Sequence, residues 1–200
     1  MRVTLHKVLS GCFYPADQIC DMSVQTAKTG AGGRVMTKFK TLLMLGIMIV
    51  LAACAAPSKF RSYDGPEVTS LVLFKAQRQL LVMNNNDVLM RLDVELGSSP
   101  IGPKQFEGDG KTPEGTYRIN RRNPNSQYHL SLGISYPTTE QVAAAAAIGL
   151  PAGGEIFFHG TPNRNTRDDD WTAGCIAISN DEIEQVYSMV RDGTPVFILP

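Results

Sequence analysis

Cys175 ends the stretch Asp170-Trp171-Thr172-Ala173-Gly174-Cys175 and opens the apolar run Ile176-Ala177-Ile178. Sixteen positions earlier His159 closes Glu155-Ile156-Phe157-Phe158-His159-Gly160. A thiol and an imidazole, each at the edge of a strand-like segment with glycine beside it, are the minimum parts of a cysteine acyl-transfer site. An unperturbed thiol, with a pKa of about 8.5, is only a few per cent ionised at neutral pH, so it needs a base, and His159 is the candidate. Taken singly, Cys175 reads as a small buried hydrophobe and His159 as a satisfied strand-end histidine. Together, and behind a leader that implies export to an oxidising compartment, they read as chemistry.

Short strands must position the pair. Two apolar runs, 68–75 and 79–83, predict a hairpin, and Asn84-Asn85-Asn86-Asp87 predicts the next turn. The alternation of Val88, Met90, Leu92, Val94 and Leu96 predicts a third strand with one buried face. Further strands are expected at 116–120, 128–136, 155–159, 175–178 and 195–199. Two helices interrupt them. The first, 139–148, holds five consecutive alanines, with Thr138 or Thr139 as N-cap and Gly149 as stop. The second, 181–190, follows a capping box of Ser179 and Glu182 and buries Ile183, Val186, Tyr187 and Val190. The expected fold is mainly β, a sandwich or barrel with two or three accessory helices.

Residues 1–53 do not read as part of that domain. Lys38 and Lys40 precede an uncharged run, 42–53, that ends in Leu51-Ala52-Ala53-Cys54. Twelve helical residues span about 18 Å, short of the ~30 Å hydrocarbon core, so the run is a secretory signal at 36–53 rather than a membrane span. Residues 1–35 carry Cys12, Cys20 and a glycine-rich stretch without hydrophobic period, and are expected to be a disordered extension ahead of a start at Met36. The leader 1–53 holds six Lys/Arg against two Asp/Glu, or +4, and 54–200 holds 13 against 17, or −4. No basic stripe remains to attract nucleic acid. Residues 54–67 are a small, polar, proline-bearing tether, and 68–200 form the domain. Only two cysteines remain after residue 53, which excludes a disulfide framework.

Other motifs fail on spacing. Gly110-Lys111-Thr112 has the tail of a phosphate loop, but Pro113 and Gly115 forbid the helix that must follow. Asp168-Asp169-Asp170 lacks the alternate spacing of a calcium loop, and His6, His129 and His159 lack zinc spacing. No metal and no cofactor is expected.

The paired blocks His159-Gly160 and Thr172-Ala173-Gly174-Cys175-Ile176 resemble the signature of the L,D-transpeptidase catalytic domain family (YkuD-like). Gly102-Pro103-Lys104-Gln105 and Gly108-Asp109-Gly110-Lys111-Thr112-Pro113-Glu114-Gly115-Thr116-Tyr117 are similar to a second block of that family, and the Gly-Pro-Lys-Gln start points to its YafK-type branch. The cysteine of Leu51-Ala52-Ala53-Cys54 resembles a bacterial lipobox, which implies lipidation of Cys54, and Ala55 after it implies an outer-membrane lipoprotein facing the periplasm. The resemblance implies a peptidoglycan stem peptide as acyl donor, opened between diaminopimelate and D-alanine. Cys175 is then the nucleophile, His159 the base, the Gly160 carbonyl the group that orients the ring, and the Gly174 and Cys175 N–H groups the oxyanion donors. Trp171, Thr172, Arg164, Arg167, Lys104 and Lys111 are the candidate substrate contacts. Ala173 and Ala177 stand where many members carry histidine and Arg or Asn, which leaves the acceptor open. An amine acceptor gives a 3–3 cross-link. Water gives a carboxypeptidase, an endopeptidase or an amidase that frees a peptidoglycan-linked lipoprotein. A non-catalytic wall-binding lipoprotein is the competing class.

Overall fold

The structure, a computed structural model, describes residues 58–161 and 170–200. The leader, Cys54, Arg164 and Arg167 lie outside the described residues. Eight strands form one sheet: β1 (Ser70–Phe74), β2 (Gln79–Asn84), β3 (Asp87–Asp93), β4 (Gly115–Asn123), β5 (Ser131–Ile134), β6 (Phe157–Thr161), β7 (Ile176–Ser179) and β8 (Pro195–Leu199). Their order is β3-β2-β1-β8-β4-β5-β6-β7. Beyond β3 the chain runs on to pair Glu95 with Ala177 of β7 and Gly97 with Thr172. These bridges bring the two ends of the sheet together, so it is a nearly closed barrel. Closure leaves little free edge beside the cysteine.

The hairpins follow from the sequence. β1 and β2 pair in register from Ser70↔Met83 to Phe74↔Gln79, and Asn85, at φ 51°, turns β2 into β3. Asparagine tolerates that left-handed conformation better than most residues. The expected one-faced β3 is broken, however. A bulge between Val82 and Met83 shifts the register, so Val88 is exposed while Leu92, Val94 and Leu96 enter the core. One extra residue moves every side chain beyond it to the other face.

Two helices are present among the described residues. α1 (Thr139–Ala147) starts at Thr138, whose hydroxyl and the Gln141 side chain form a full capping box. It buries only Ala145, so its alanines serve propensity rather than packing. α2 (Asn180–Met189) starts at Ser179 with Glu182 completing the box, as its sequence predicts. Ile183, Val186 and Val190 are buried, and Tyr187 is half-buried against the core. Arg122 anchors the far end of α2, donating to the Val190 carbonyl at 2.5 Å and to that of Tyr187 while stacking on the Tyr187 ring.

Residues 58–67 differ from a free tether. Lys59 donates to the carbonyls of Pro124 and His129, and Arg61 pairs with Asp181 and Glu184 of α2 at 3.1 and 2.7 Å. Glu184 also meets His129 at 2.8 Å. The segment is polar because its partners are charges on α2 and carbonyls of the β4–β5 connection, not because it is free in solvent.

Candidate active site

β6 and β7 run parallel, with Phe158 opposite Ile176 and His159 opposite Ala177. Side chains directly across from one another share a face, and alternate residues return to it. Cys175, two residues before Ala177, therefore lies on the same face as His159 and diagonally from it. A ring can reach such a diagonal neighbour on the adjacent strand. The other face carries the fully buried Leu132, Phe158, Ile176 and Ile178, together with Ile183 of α2. The core thus grips alternate residues of both strands and leaves the thiol and the imidazole on the opposite side.

His159 is 4% exposed, and its Nδ1 lies 2.8 Å from the Gly160 carbonyl oxygen. A carbonyl only accepts, so Nδ1 carries the hydrogen and the lone pair sits on Nε2. Burial lowers the imidazole's proton affinity, partly offset by that carbonyl. The ring is accordingly neutral and ready to take a proton. Glycine is required at 160, because a β-carbon there would press into Asn180 Oδ1 and lie 3.0 Å from Ile183 Cγ2 and from the Tyr128 carbonyl.

Cys175 is half-buried, and its thiol donates to the Glu155 carbonyl at 3.4 Å. Glu155 has φ 55°, a left-handed conformation that turns this carbonyl toward the sulfur. Burial pushes the thiol pKa up, and the Phe157 N–H opposes that by donating to sulfur. Both shifts favour a neutral thiol and a neutral imidazole at rest over a thiolate–imidazolium pair.

The loop before the thiol is built by Thr172. Its Oγ1 donates to the Cys175 carbonyl at 2.8 Å and accepts from the Gly174 N–H at 3.1 Å. Thr172 is buried and bonded through its own backbone to Leu96 and Ser98, so it shapes the loop rather than meeting a substrate. This corrects two expectations, because the Gly174 N–H is occupied and does not face a developing oxyanion. The glycine at 174, with φ 133°, admits the Lys111 carbonyl, which would lie 2.6 Å from a β-carbon.

The two lysines also differ from expectation. Lys104 is 6% exposed, ion-paired with Asp109 at 2.8 Å and bonded to the Phe106 carbonyl at 3.0 Å. Asp109 also accepts the N–H groups of Gln105, Phe106 and Lys111, which holds its carboxyl below the usual range despite burial. Lys104 is therefore a structural ion that fixes the loop supplying the Lys111 carbonyl, and its charge helps lower the Cys175 pKa. The Lys111 ammonium donates to the Ile101 carbonyl at 2.6 Å. Sequence spacing shows none of this, since the burial of Lys104 follows from a tertiary wall.

Trp171 does stand beside the pair, with its ring 5.9 Å from His159 and its indole N–H donated to Glu95. Tyr128, which no motif singles out, stacks on His159 at 4.5 Å and 27° and lies 5.8 Å from Trp171. Its backbone carbonyl accepts the Gly160 N–H at 3.0 Å. The imidazole is thus flanked by two rings and held by its neighbour's backbone. Asp170 braces this corner, bonded to Arg78 at 2.9 Å and to the Leu96 N–H at 2.8 Å.

Comparison with known proteins places the chain in a family. The family model of YkuD, the L,D-transpeptidase catalytic domain, matches residues 69–198. The Escherichia coli (strain K12) protein named "Putative L,D-transpeptidase YafK" is 33% identical over 105 residues, which is 52% of this chain and 37% of that protein. The chain thus spans little more than a third of that curated relative. Among solved structures, the helical cell shape determining protein Pgp2 from Campylobacter jejuni shares the fold at 23% identity and a TM-score of 0.51, covering 74% of this chain and 53% of that one. An L,D-transpeptidase from Mycobacterium smegmatis follows at 18% identity and a TM-score of 0.47, covering 68% of this chain and 60% of that one. The mainly β fold, the paired His159-Gly160 and Gly174-Cys175 blocks and a family match over nearly the whole described domain lead to one assignment: this chain belongs to the L,D-transpeptidase catalytic domain family.

Proposed function

We propose that the protein is a cysteine-dependent L,D-transpeptidase that acts on peptidoglycan stem peptides at the diaminopimelate–D-alanine bond. The observation that carries this reading is the Nδ1–H of His159 held on the Gly160 carbonyl, which leaves Nε2 basic on the face it shares with Cys175. Nε2 takes the thiol proton as sulfur attacks the diaminopimelate carbonyl. The tetrahedral intermediate collapses, His159 returns the proton to the departing D-alanine amine, and a thioester remains. An amine of a second stem, deprotonated by His159, attacks the thioester and restores the thiol. Because the resting pair is neutral, proton transfer accompanies attack rather than preceding it.

Incubation of purified tetrapeptide muropeptides with the wild-type chain and with Cys175→Ala, followed by mass spectrometry of the products, tests the reading. A dimer joined through two diaminopimelates, formed by the wild type alone, is the expected result. Tripeptide without dimer replaces transfer with hydrolysis. Unchanged muropeptides in both samples leave a wall-binding protein and overturn the enzyme.

We further infer that the protein is an outer-membrane lipoprotein on the periplasmic side, lipidated at Cys54. Support comes from Leu51-Ala52-Ala53-Cys54 after a short apolar run, followed by Ala55. Labelled palmitate is expected to enter the wild-type protein and not Cys54→Ser. Equal labelling of both contradicts the anchor.

A further inference from the structure

The register places a row of residues across β4, β5 and β6 on the face of the thiol. Arg121 of β4 lies opposite Gly133 of β5, Gly133 opposite Phe157 of β6, and Phe157 beside the position of Cys175. Arg121 owes its place to a bulge. Ile119 pairs with Ile134 and Arg121 with Gly133, so two steps on β4 match one on β5. Simple alternation would put Arg121 on the face of Ile119, which is 1% exposed and in the core. The extra residue returns the arginine to the opposite face, the usual work of a bulge beside a site. Gly133 then leaves a gap in the row, because a β-carbon there would lie 3.1 Å from the Phe157 ring and 3.2 Å from Arg121 Nε. Through that gap the guanidinium reaches the Phe157 ring, 4.7 Å from its centroid.

Phe157 and Glu155 bracket the nucleophile. Phe157 gives its N–H to the sulfur, and Glu155 gives its carbonyl to the thiol. Arg121 pairs with the Glu155 carboxylate at 3.0 Å, with the arginine side chain 46% and the glutamate 74% exposed. An exposed pair of this kind contributes little and yields readily to a better anion. Planar guanidinium forks favour carboxylates, which they bind through two parallel bonds. Lys104 and Lys111 are engaged elsewhere, and Ala177 offers no charge.

We propose that Arg121 is a specificity-determining residue that binds a carboxylate of the acyl donor, presented to it across Gly133 in the row that ends at Cys175. The donor's identity as a stem peptide rests on the function proposed above. Glu155 acts as the resident stand-in, released when the donor arrives.

The test measures binding of tetrapeptide muropeptide, and of its forms amidated at single carboxylates, to the full chain carrying Cys175→Ala. One amidation is expected to weaken binding about tenfold, and the same amidation to change it less than twofold when Arg121→Met is added. Glu155→Gln in the Cys175→Ala background is expected to tighten the unmodified muropeptide about threefold, since the competing carboxylate is gone. A purely structural arginine gives neither result. Equal weakening of all forms by Arg121→Met, indifference to every amidation, or no binding at all overturns the proposal. Amidation-sensitive binding without any thioester on the wild-type chain instead overturns the transpeptidase reading and leaves the carboxylate site standing.

Discussion

His159→Gln is expected to lower the rate of donor acylation roughly 10²- to 10⁴-fold, the usual contribution of a positioned general base. The pH profile is the more telling readout. Wild-type activity should fall as pH drops and the ring gains a proton, with a midpoint below the ordinary histidine value of 6.5, because burial lowers the affinity of this imidazole. Above that limb the neutral pair is the reactive form. Residual activity in His159→Gln has no base and must await thiol ionisation. Burial pushes the Cys175 thiol above the ordinary thiol value, so the variant's activity should rise only in the alkaline range. Acylation rates across pH 5–10 separate the two profiles. An acid limb that persists unchanged in the variant would assign it to another group.

Gly174→Ala is expected to lose both stability and activity. The residue has φ 133°, where side chains are disfavoured, and its β-carbon would lie 2.6 Å from the Lys111 carbonyl and 3.3 Å from Ile156 Cδ1. Lys111 cannot give way, because its N–H is held by Asp109 and its ammonium by the Ile101 carbonyl. Strain of this kind costs about 3 kcal/mol, which lowers Tm by roughly 6–12 °C in a domain of this size. Relief through movement of the 172–175 loop would shift the sulfur, and a displacement of about 1 Å can cost on the order of 100-fold in rate. Thermal unfolding followed by circular dichroism, with acylation measured at 20 °C, checks both. A variant within 2 °C of wild type and equally active would contradict the cradle drawn here.

β1, β2, β4 and β8 were legible because burial alternates along them, and β8 matches its expected bounds of 195–199; β5, β6 and β7, buried nearly throughout, were legible only as short apolar runs. The β5 segment was expected at 128–136 and is cut to Ser131–Ile134. His129 at φ 72° breaks the extended chain there, paired with Glu184 of α2, a partner 55 residues away. The same long-range logic hid Tyr128, whose stacking on His159 exists only because Ser131 pairs with His159. His159 and Cys175 were legible because their types are rare among the residues after 53 and their flanking glycines are close by. Thr172 was legible as part of the motif but not in its role. Thr172 is buried and its backbone is held by Leu96 and Ser98, long-range partners with no local signature, so its role emerges only with the bridge at Gly97. Arg121 was invisible for a related reason, since the bulge that aims it depends on the register of β4 against β5.

In the proposed reaction the Cys175 sulfur becomes covalently acylated with His159 as its base. Intact-protein mass spectrometry after brief exposure to tetrapeptide muropeptide tests it most directly. The expected result is a mass gain equal to the donor minus D-alanine, mapped to the peptide containing Cys175 and greatly diminished in His159→Gln. A folded wild-type chain that binds the muropeptide yet gains no mass, or gains it on another residue, would rule out Cys175 as the nucleophile.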